Sequence, residues 1–225
     1  TTATALTSIT TGLPPGEHGL VGYRMAMDSG VLNSLRWAVE GRDARDSLPP
    51  AKVQPNEPFL GFRPSIVTRA EFRTSGFTGA HLDGARFHGY RVLSTLVTEV
   101  RHLFQSNESF VYAYYDGLDK VSHEYGLGEH YEAELVAIDR LVATLLELLP
   151  SDACLVLVSD HGQVDVGERV LDLAPEITAN LSLQSGEGRF RWLHARPGRV
   201  PALVEACEAH LSDDAWVRTA DQTID

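Results

Sequence analysis

The chain has 225 residues, of which 43% are hydrophobic and 22% are charged, and its formal net charge is -12. This composition is typical of a globular domain, and single domains grow to roughly 250 to 300 residues. The negative net charge argues against binding a nucleic-acid polymer, because a surface that binds the phosphate backbone needs clustered Lys and Arg. No apolar run approaches the roughly 18 residues that cross a bilayer, so we predict no membrane segment.

The first predicted element is a helix over residues 3–11, where apolar side chains recur at helical spacing. Gly12 follows, at the position where a glycine commonly ends a helix. Thr2 therefore falls at or near the helix N-terminus, where a hydroxyl meets the positive end of the helix dipole and could act as a nucleophile. An ordinary N-cap role is the alternative, and Thr1 and Thr4 compete with Thr2 for any role.

Two long amphipathic helices are predicted further along, over residues 84–105 and 129–149. Each precedes a short, nearly uninterrupted apolar run, at residues 110–115 and 154–158. Such runs are typical of buried parallel strands. The alternation predicts one α/β domain over residues 1–225, with a mostly parallel central sheet and helices on both faces.

The sequence pattern at each end of the chain predicts that further residues are missing there. Thr1 opens directly into the helical pattern with no preceding strand, and residues 216–221 resemble a strand that enters a turn and stops. Cys154 and Cys207 fall in a predicted buried strand and a predicted helix, which favours two free core thiols over a disulfide. Free thiols favour a cytoplasmic protein, although a signal peptide before Thr1 stays an open alternative.

An acid–histidine pair follows each predicted strand. Asp160 and His161 stand side by side after the second strand, and Asp119 and His123 lie four residues apart, on one face of a helical turn. Asp and His are zinc ligands. Each pair alone is equally typical of a loop-capping or solvated surface contact. Because ligands bind beyond the carboxyl ends of parallel strands, we expect both pairs to meet at one edge of the sheet.

The first 20 residues resemble the nucleophile segment of nucleotide pyrophosphatase/phosphodiesterase-like members of the alkaline phosphatase superfamily. In that segment a Thr precedes a helix that ends in Thr-Gly, followed by Pro-x-x-His-Gly, as in Thr11-Gly12 and residues 15–19 here. Counting back from these motifs selects Thr2 as the counterpart of the nucleophile. The two acid–histidine motifs follow in the family's order, so the resemblance extends to about Gly162.

The resemblance implies an alkaline phosphatase-like fold and a hydrolase of phosphodiester or nucleotide pyrophosphate bonds, with a phosphothreonine intermediate. It also implies two divalent ions, Zn²⁺ or alternatively Mn²⁺. Thr2, Asp160 and His161 would hold one ion, and Asp119 and His123 would hold the other. The implied partner is a small phosphate-ester substrate, and the oligomeric state stays open.

The sequence departs from the family's pattern at several positions. The resemblance implies two further ligands, an Asp before the nucleophile and a late His followed by Gly, and both are missing. After His161 come His194, either a substitute ligand or an ordinary strand residue, and His210. Tyr23 stands where close relatives carry an Asn that binds a phosphoryl oxygen, and its hydroxyl could substitute in substrate binding. We interpret His18 as a structural loop residue.

Other functions compete with this interpretation. Within the superfamily, a cofactor-independent phosphomutase usually has a Ser nucleophile and manganese, so Thr2 argues against it, and a phosphonate-hydrolysing member is also open. The Cys/Ser-x-Pro-x-Arg setting of sulfatases is absent. From another class, a catalytically decayed binding protein could keep the fold without metal, but the five intact site residues argue against it.

Overall fold

The computed structural model describes residues 1–168 and 170–223, which form a mixed α/β arrangement. The helices are α1 (Thr2–Thr11), α2 (Pro15–His18), α3 (Pro50–Val53), α4 (Gly76–His81), α5 (Leu93–Gln105), α6 (Gly117–Tyr125), α7 (Glu129–Leu148), α8 (Pro175–Thr178) and α9 (Val200–Leu211). The strands are β1 (Arg24–Met27), β2 (Gly30–Asn33), β3 (Ala38–Val39), β4 (Arg42–Asp43), β5 (Ser65–Arg69), β6 (Arg86–Tyr90), β7 (Val111–Ala113), β8 (Leu181–Gly186) and β9 (Arg191–Ala195). Within the described ranges, no helix has the length and apolar character needed to span a membrane.

The smaller of the two sheets is parallel and has the strand order β6-β5-β7. Ser65 of β5 pairs with Arg86 on one side and Val111 on the other, which fixes the register of the three strands. Residues 65–68 are buried, as expected of a central parallel strand covered on both faces. Helix α5 packs on this sheet through its apolar side, and β7 leads on towards α6.

The larger sheet is antiparallel, with the strand order β4-β3-β2-β1-β8-β9. A meander of the first four strands is extended by the β8–β9 hairpin, where Arg24 of β1 lies opposite Gly186 of β8. Helix α1 shares a core with the meander region, because Ala3 and Leu6 cluster with the fully buried Trp37. That core fixes the position of α1 and therefore of the residues in its first turn.

A third core cluster joins α8, α9 and the β8–β9 hairpin through Ile177, Leu181, Leu203 and Cys207. Both cysteines are free, as predicted, but only Cys207 is buried. Cys154 is exposed, so its predicted place in the core is wrong. The reason is that the segment around it does not form the predicted buried strand.

The predicted helices are confirmed in two cases and corrected in one. Helix α1 spans the predicted first helix, and Gly12 ends it in a left-handed conformation with φ 72°. Helix α7 matches the prediction over residues 129–149. The helix predicted over residues 84–105 begins only at Leu93, because its first part forms β6. There, backbone pairing with β5 overrides the local helical period.

Of the two strands predicted after the long helices, only the first is present. Strand β7 lies within residues 110–115 and pairs with β5. Residues 154–158 form no strand, and Val156 and Leu157 are 74% and 73% exposed. An apolar run forms a strand only where another strand satisfies its backbone groups, and none of the residues in the described ranges pairs with this run.

The predicted mostly parallel central sheet is therefore right only in part. The parallel sheet has three strands, and the six others belong to the antiparallel sheet. Several of these are short, down to the two residues of β3, so they produce little hydrophobic pattern in the sequence. The strand predicted over residues 216–221 is also wrong, since this segment has no strand and Trp216 is almost fully exposed.

Helix α4 buries a histidine next to the core of the antiparallel sheet. The ring of His81 stacks on Phe77 with 3.9 Å between ring centroids, and its Nδ1 donates to the Phe77 carbonyl at 2.7 Å. Burial lowers the pKa of His81 from 6.5 to about 4, because a charged imidazole loses its hydration there. The folded protein therefore favours the neutral ring.

We expect this burial to make the protein less stable in mild acid. The unfolded chain takes up a proton at His81 near pH 6.5, whereas the folded chain does so only near pH 4, so stability is lost as the pH falls through this window. Between pH 7 and pH 5, the free energy of unfolding of the wild type should fall by about 2 kcal/mol more than that of His81→Asn or His81→Gln. Urea denaturation at both pH values measures the difference. Identical pH dependence in all three proteins would contradict this assignment.

Candidate active site

Helix α1 directs the hydroxyl of its first residue away from the helix. The N-cap residue is Thr1, and no side chain caps α1. The Oγ1 atom of Thr2 lies 3.0 Å from Nε2 of His161, a residue 159 positions away. The N-cap alternative for Thr2 is therefore wrong. The hydroxyls of Thr1 and Thr4 are buried and have no hydrogen-bond partner within the described ranges.

The tautomer of a neutral His161 ring follows from its second hydrogen bond. Its Nδ1 lies 3.0 Å from the carbonyl oxygen of Gly162. A carbonyl oxygen only accepts, so in the neutral ring the hydrogen is on Nδ1 and Nε2 presents a lone pair. That lone pair accepts the hydroxyl hydrogen of Thr2. The same orientation, with a carbonyl behind the ring, is the usual one for a histidine that binds metal.

The first acid–histidine pair is next to this hydroxyl, and we call Asp160 and His161 the inner pair. Oδ2 of Asp160 lies 3.5 Å from Nε2 of His161. The His161 side chain is only 26% exposed. Tyr112 faces the same carboxylate, and burial together with the charge of Asp160 raises the pKa of Tyr112 to about 12. Burial and the same charge also raise the pKa of Tyr114. Negative charge is therefore concentrated beside Thr2.

The second pair lies on α6, and we call Asp119 and His123 the outer pair. Oδ1 of Asp119 is 3.5 Å from Nε2 of His123, whose side chain is 75% exposed. The same Oδ1 is 3.8 Å from Nε2 of His161, so the two pairs adjoin. The structure thus brings together all five residues that the sequence analysis assigned to the metal site.

A glutamine that the sequence analysis did not identify joins the two pairs. Nε2 of Gln163 donates a hydrogen bond of 2.9 Å to Oδ1 of Asp119. Gln163 follows His161 by two residues, and this proximity was the only signal available in the sequence.

A buried ion cluster supports the start of α6 at the carboxyl ends of the parallel strands. Asp116 is buried and accepts from Nε of Arg69, at the end of β5, and from Nζ of Lys120 at 2.8 Å. Beside them the Tyr90 hydroxyl is buried without a hydrogen-bond partner in the described chain, and burial raises its pKa. The cluster anchors the turn of α6 that carries Asp119.

Three other predicted or discussed residues lie outside this group of contacts. The hydroxyl of Tyr23 accepts from Asn33 at 2.7 Å, so its polar contact is with β2. His194 on β9 is 2.8 Å from Oγ of Ser185 on β8, as expected of an ordinary strand residue. His18 is fully buried, and its two ring nitrogens contact the Ser8 hydroxyl and the Leu20 amide, which fits a structural role.

The chemistry of the five side chains fits divalent metal ions. Two ligand atoms on one tetrahedral zinc ion lie about 3.4 Å apart, given bonds of about 2.1 Å. The nitrogen–oxygen distance of 3.5 Å within each pair is close to this value. Nε2 of His161 also lies 3.5 Å from Oδ2 of Asp160 and 3.8 Å from Oδ1 of Asp119, so a cation between these atoms would meet nitrogen and oxygen ligands. In residues 1–168 and 170–223, however, no three His, Cys, Asp or Glu side chains converge on one ion position.

Comparison with known families agrees with this arrangement of motifs. The family model for type I phosphodiesterase / nucleotide pyrophosphatase matches residues 1–215. The chain therefore belongs to the type I phosphodiesterase/nucleotide pyrophosphatase family, as the resemblance of its motifs indicated. Membership supports a hydrolase of phosphoric esters in general. No curated protein matches the chain significantly.

We expect Asp116→Asn to lower the free energy of unfolding by about 2 kcal/mol, because it removes the buried acceptor of the Arg69 Nε and leaves this half-buried guanidinium with Glu71 as its carboxylate partner. The matched control is Asp43→Asn, which removes the partner of Arg45 from an exposed ion pair and should change stability little. Urea denaturation of the three proteins at neutral pH gives both differences. If both substitutions had the same effect, Asp116 would not be the buried support of α6.

Proposed function

We propose that this chain hydrolyses phosphodiester or pyrophosphate bonds in a small phosphate-ester substrate, with Thr2 as the nucleophile. The observation that supports this best is the 3.0 Å contact between the Thr2 hydroxyl and the lone-pair nitrogen of His161. An ion held by this nitrogen and by Asp160 would lie next to the hydroxyl and lower its pKa, whereas a free threonine alcohol keeps its proton. The family of the chain supplies the substrate class.

The donor atoms favour two divalent ions as cofactors, zinc first and manganese as the alternative. Asp160 and His161, together with Thr2, would hold one ion, and Asp119 and His123 would hold the other. Bound at these pairs, such ions would neutralise phosphate charge and lower the pKa of a coordinated hydroxyl. The carboxylates make the site negatively charged. The bound ions would offset this charge and so favour binding of an anionic substrate.

The reaction that this arrangement supports has two displacements at phosphorus. With an ion at the inner pair, Nε2 of His161 would be a ligand, so the proton of the Thr2 hydroxyl would pass to water. The Thr2 oxygen forms a bond to phosphorus, and the bond from phosphorus to the first leaving group breaks. That leaving group takes a proton from water. A water oxygen then attacks the phosphothreonine, the bond from phosphorus to the Thr2 oxygen breaks, and the hydroxyl of Thr2 recovers a proton. The net result is hydrolysis of one ester bond.

The start of α1 offers donors for the phosphoryl oxygens. Ala5 is the residue whose amide makes the first helical bond, to the carbonyl of Thr1 at 2.9 Å. The amides of residues 2–4 therefore lack helical acceptors, as at the N-terminus of any α-helix. Such amides and the positive end of the helix dipole stabilise bound phosphate. The attacking oxygen and the oxyanion donors would then lie on the same helical turn.

We expect Thr2→Ala to lower kcat by about 1,000-fold or more, because it removes the nucleophile, and Thr2→Ser to keep part of the activity. Thr1→Ala and Thr4→Ala are the matched controls, since they remove neighbouring hydroxyls from the same turn. Acid quenching during turnover, followed by mass spectrometry, should locate phosphate on Thr2. Phosphate on another residue, or normal turnover of Thr2→Ala, would refute the assignment.

We also expect the protein to lose activity when chelators remove bound ions, and to recover it with zinc or manganese. Elemental analysis should give close to two ions per chain in the wild type. Asp160→Ala should lose one of them, because it breaks the inner pair, whereas Asp165→Ala should keep both. Asp165 is a suitable control because it lies on the same loop and, among the described residues, its carboxylate accepts only from the Gly167 amide. A wild-type chain without bound metal, and without activation by either ion, would exclude this mechanism.

A further inference from the structure

The segment that carries the inner pair is held by few contacts. Residues 154–168 contain neither helix nor strand, and most of them are exposed. Apart from the local bond from the Val170 amide to the Glu168 carbonyl, two hydrogen bonds join this segment to the rest of the described chain. One is the contact between His161 and Thr2, and the other is the bond from Gln163 to Asp119. Gln163 therefore provides one of the two attachments of the segment.

Gln163 is turned towards α6, unlike its neighbours. Its side chain is partly buried, whereas Gly162 and Val164 on either side of it are exposed. The acceptor is Oδ1 of Asp119, the same oxygen that lies nearest to both His123 and His161. The bond therefore fixes the oxygen of the outer pair that is directed at the inner pair.

The chemistry of an amide suits this position. A glutamine donates a hydrogen bond without adding charge, so the carboxylate of Asp119 keeps its full negative charge for a cation. Hydrogen bonds to a ligating carboxylate fix its orientation, and loss of such a partner typically lowers metal affinity about 10- to 100-fold. A glutamate in the same place would accept instead of donate and would repel Asp119.

We propose that Gln163 is a positioning residue that couples the inner and outer pairs, so that a divalent ion at either pair favours binding of an ion at the other. The inference rests on the proposed function, because it assumes that both pairs bind ions. Its physical basis is that an ion at the outer pair fixes Asp119, and Asp119 then holds Gln163 and the segment of the inner pair in place. Coupling of this kind is reciprocal.

The test is a double-mutant cycle on zinc affinity, measured on the full chain by competition with a chromophoric chelator. The variants are Gln163→Leu, His123→Ala and the combination of the two. We expect Gln163→Leu to lower the affinity of the inner pair about tenfold when the outer pair is intact, and to have much less effect when His123→Ala has broken the outer pair. Gln163→Glu should lower the affinity at least as much as Gln163→Leu.

Two controls separate positioning from a general loss of structure. Gln184→Leu removes another partly buried glutamine, whose side chain accepts from Arg191 and from no other described residue, and should leave zinc affinity unchanged. The unfolding temperature of the metal-free protein should be the same for the wild type and Gln163→Leu, with a difference only after zinc is added. A lower unfolding temperature without metal would indicate a merely structural role and overturn the proposal.

The outcomes also distinguish this inference from the function on which it rests. If the wild type binds no ions and hydrolyses no phosphate ester, the proposed function and the coupling both fail. If the wild type binds two ions and turns over substrate while Gln163→Leu keeps wild-type affinity, only the coupling fails. Equal losses of affinity with and without His123 would likewise exclude coupling and leave the hydrolase assignment intact.

Discussion

The hydrogen bond between Thr2 and His161 is the contact on which the candidate site depends, because it joins residues 159 positions apart. Its two ends are held by different means. Helix α1 is fixed by a core that includes Ala3, Leu6 and Trp37, so the hydroxyl of Thr2 has a well-defined position. The segment of His161 has no comparable core. The position of the Thr2 hydroxyl is thus set by packing, whereas that of His161 is set by hydrogen bonds.

The outer pair has a third kind of support, from buried charge. Asp116 satisfies Arg69 and Lys120 at the start of α6, where the parallel strands end. A buried carboxylate between two cations adds little net stability compared with apolar packing, but it permits few alternative arrangements. Asp119 lies in this first turn of α6, so the same cluster sets its orientation. Asp119 thus lies beyond the carboxyl edge of the parallel sheet, where ligands commonly bind in α/β proteins.

The sequence was sufficient to predict features that depend on local pattern. The periodicity of α1 and α7 and the cap at Gly12 are local, and so are the acid–histidine pairs that the motifs identified. Features that depend on pairing between distant segments were mispredicted, such as β6, the antiparallel sheet and residues 154–158. Gln163 belongs to the second kind, since its role is visible only once Asp119, 44 residues away, is placed beside it.

The two pairs differ in how much order they have before an ion binds. His161 is already fixed, since one ring nitrogen donates to a carbonyl and the other accepts from Thr2. His123 is largely exposed and has one nearby carboxylate, so binding an ion there also fixes a mobile side chain, at a cost in conformational entropy. The inner pair is consequently the better preorganised half of the site. Any interaction that holds Asp119 in place would reduce the ordering that an ion requires of the outer pair. The hydrogen bond from Gln163 to Asp119 is such an interaction.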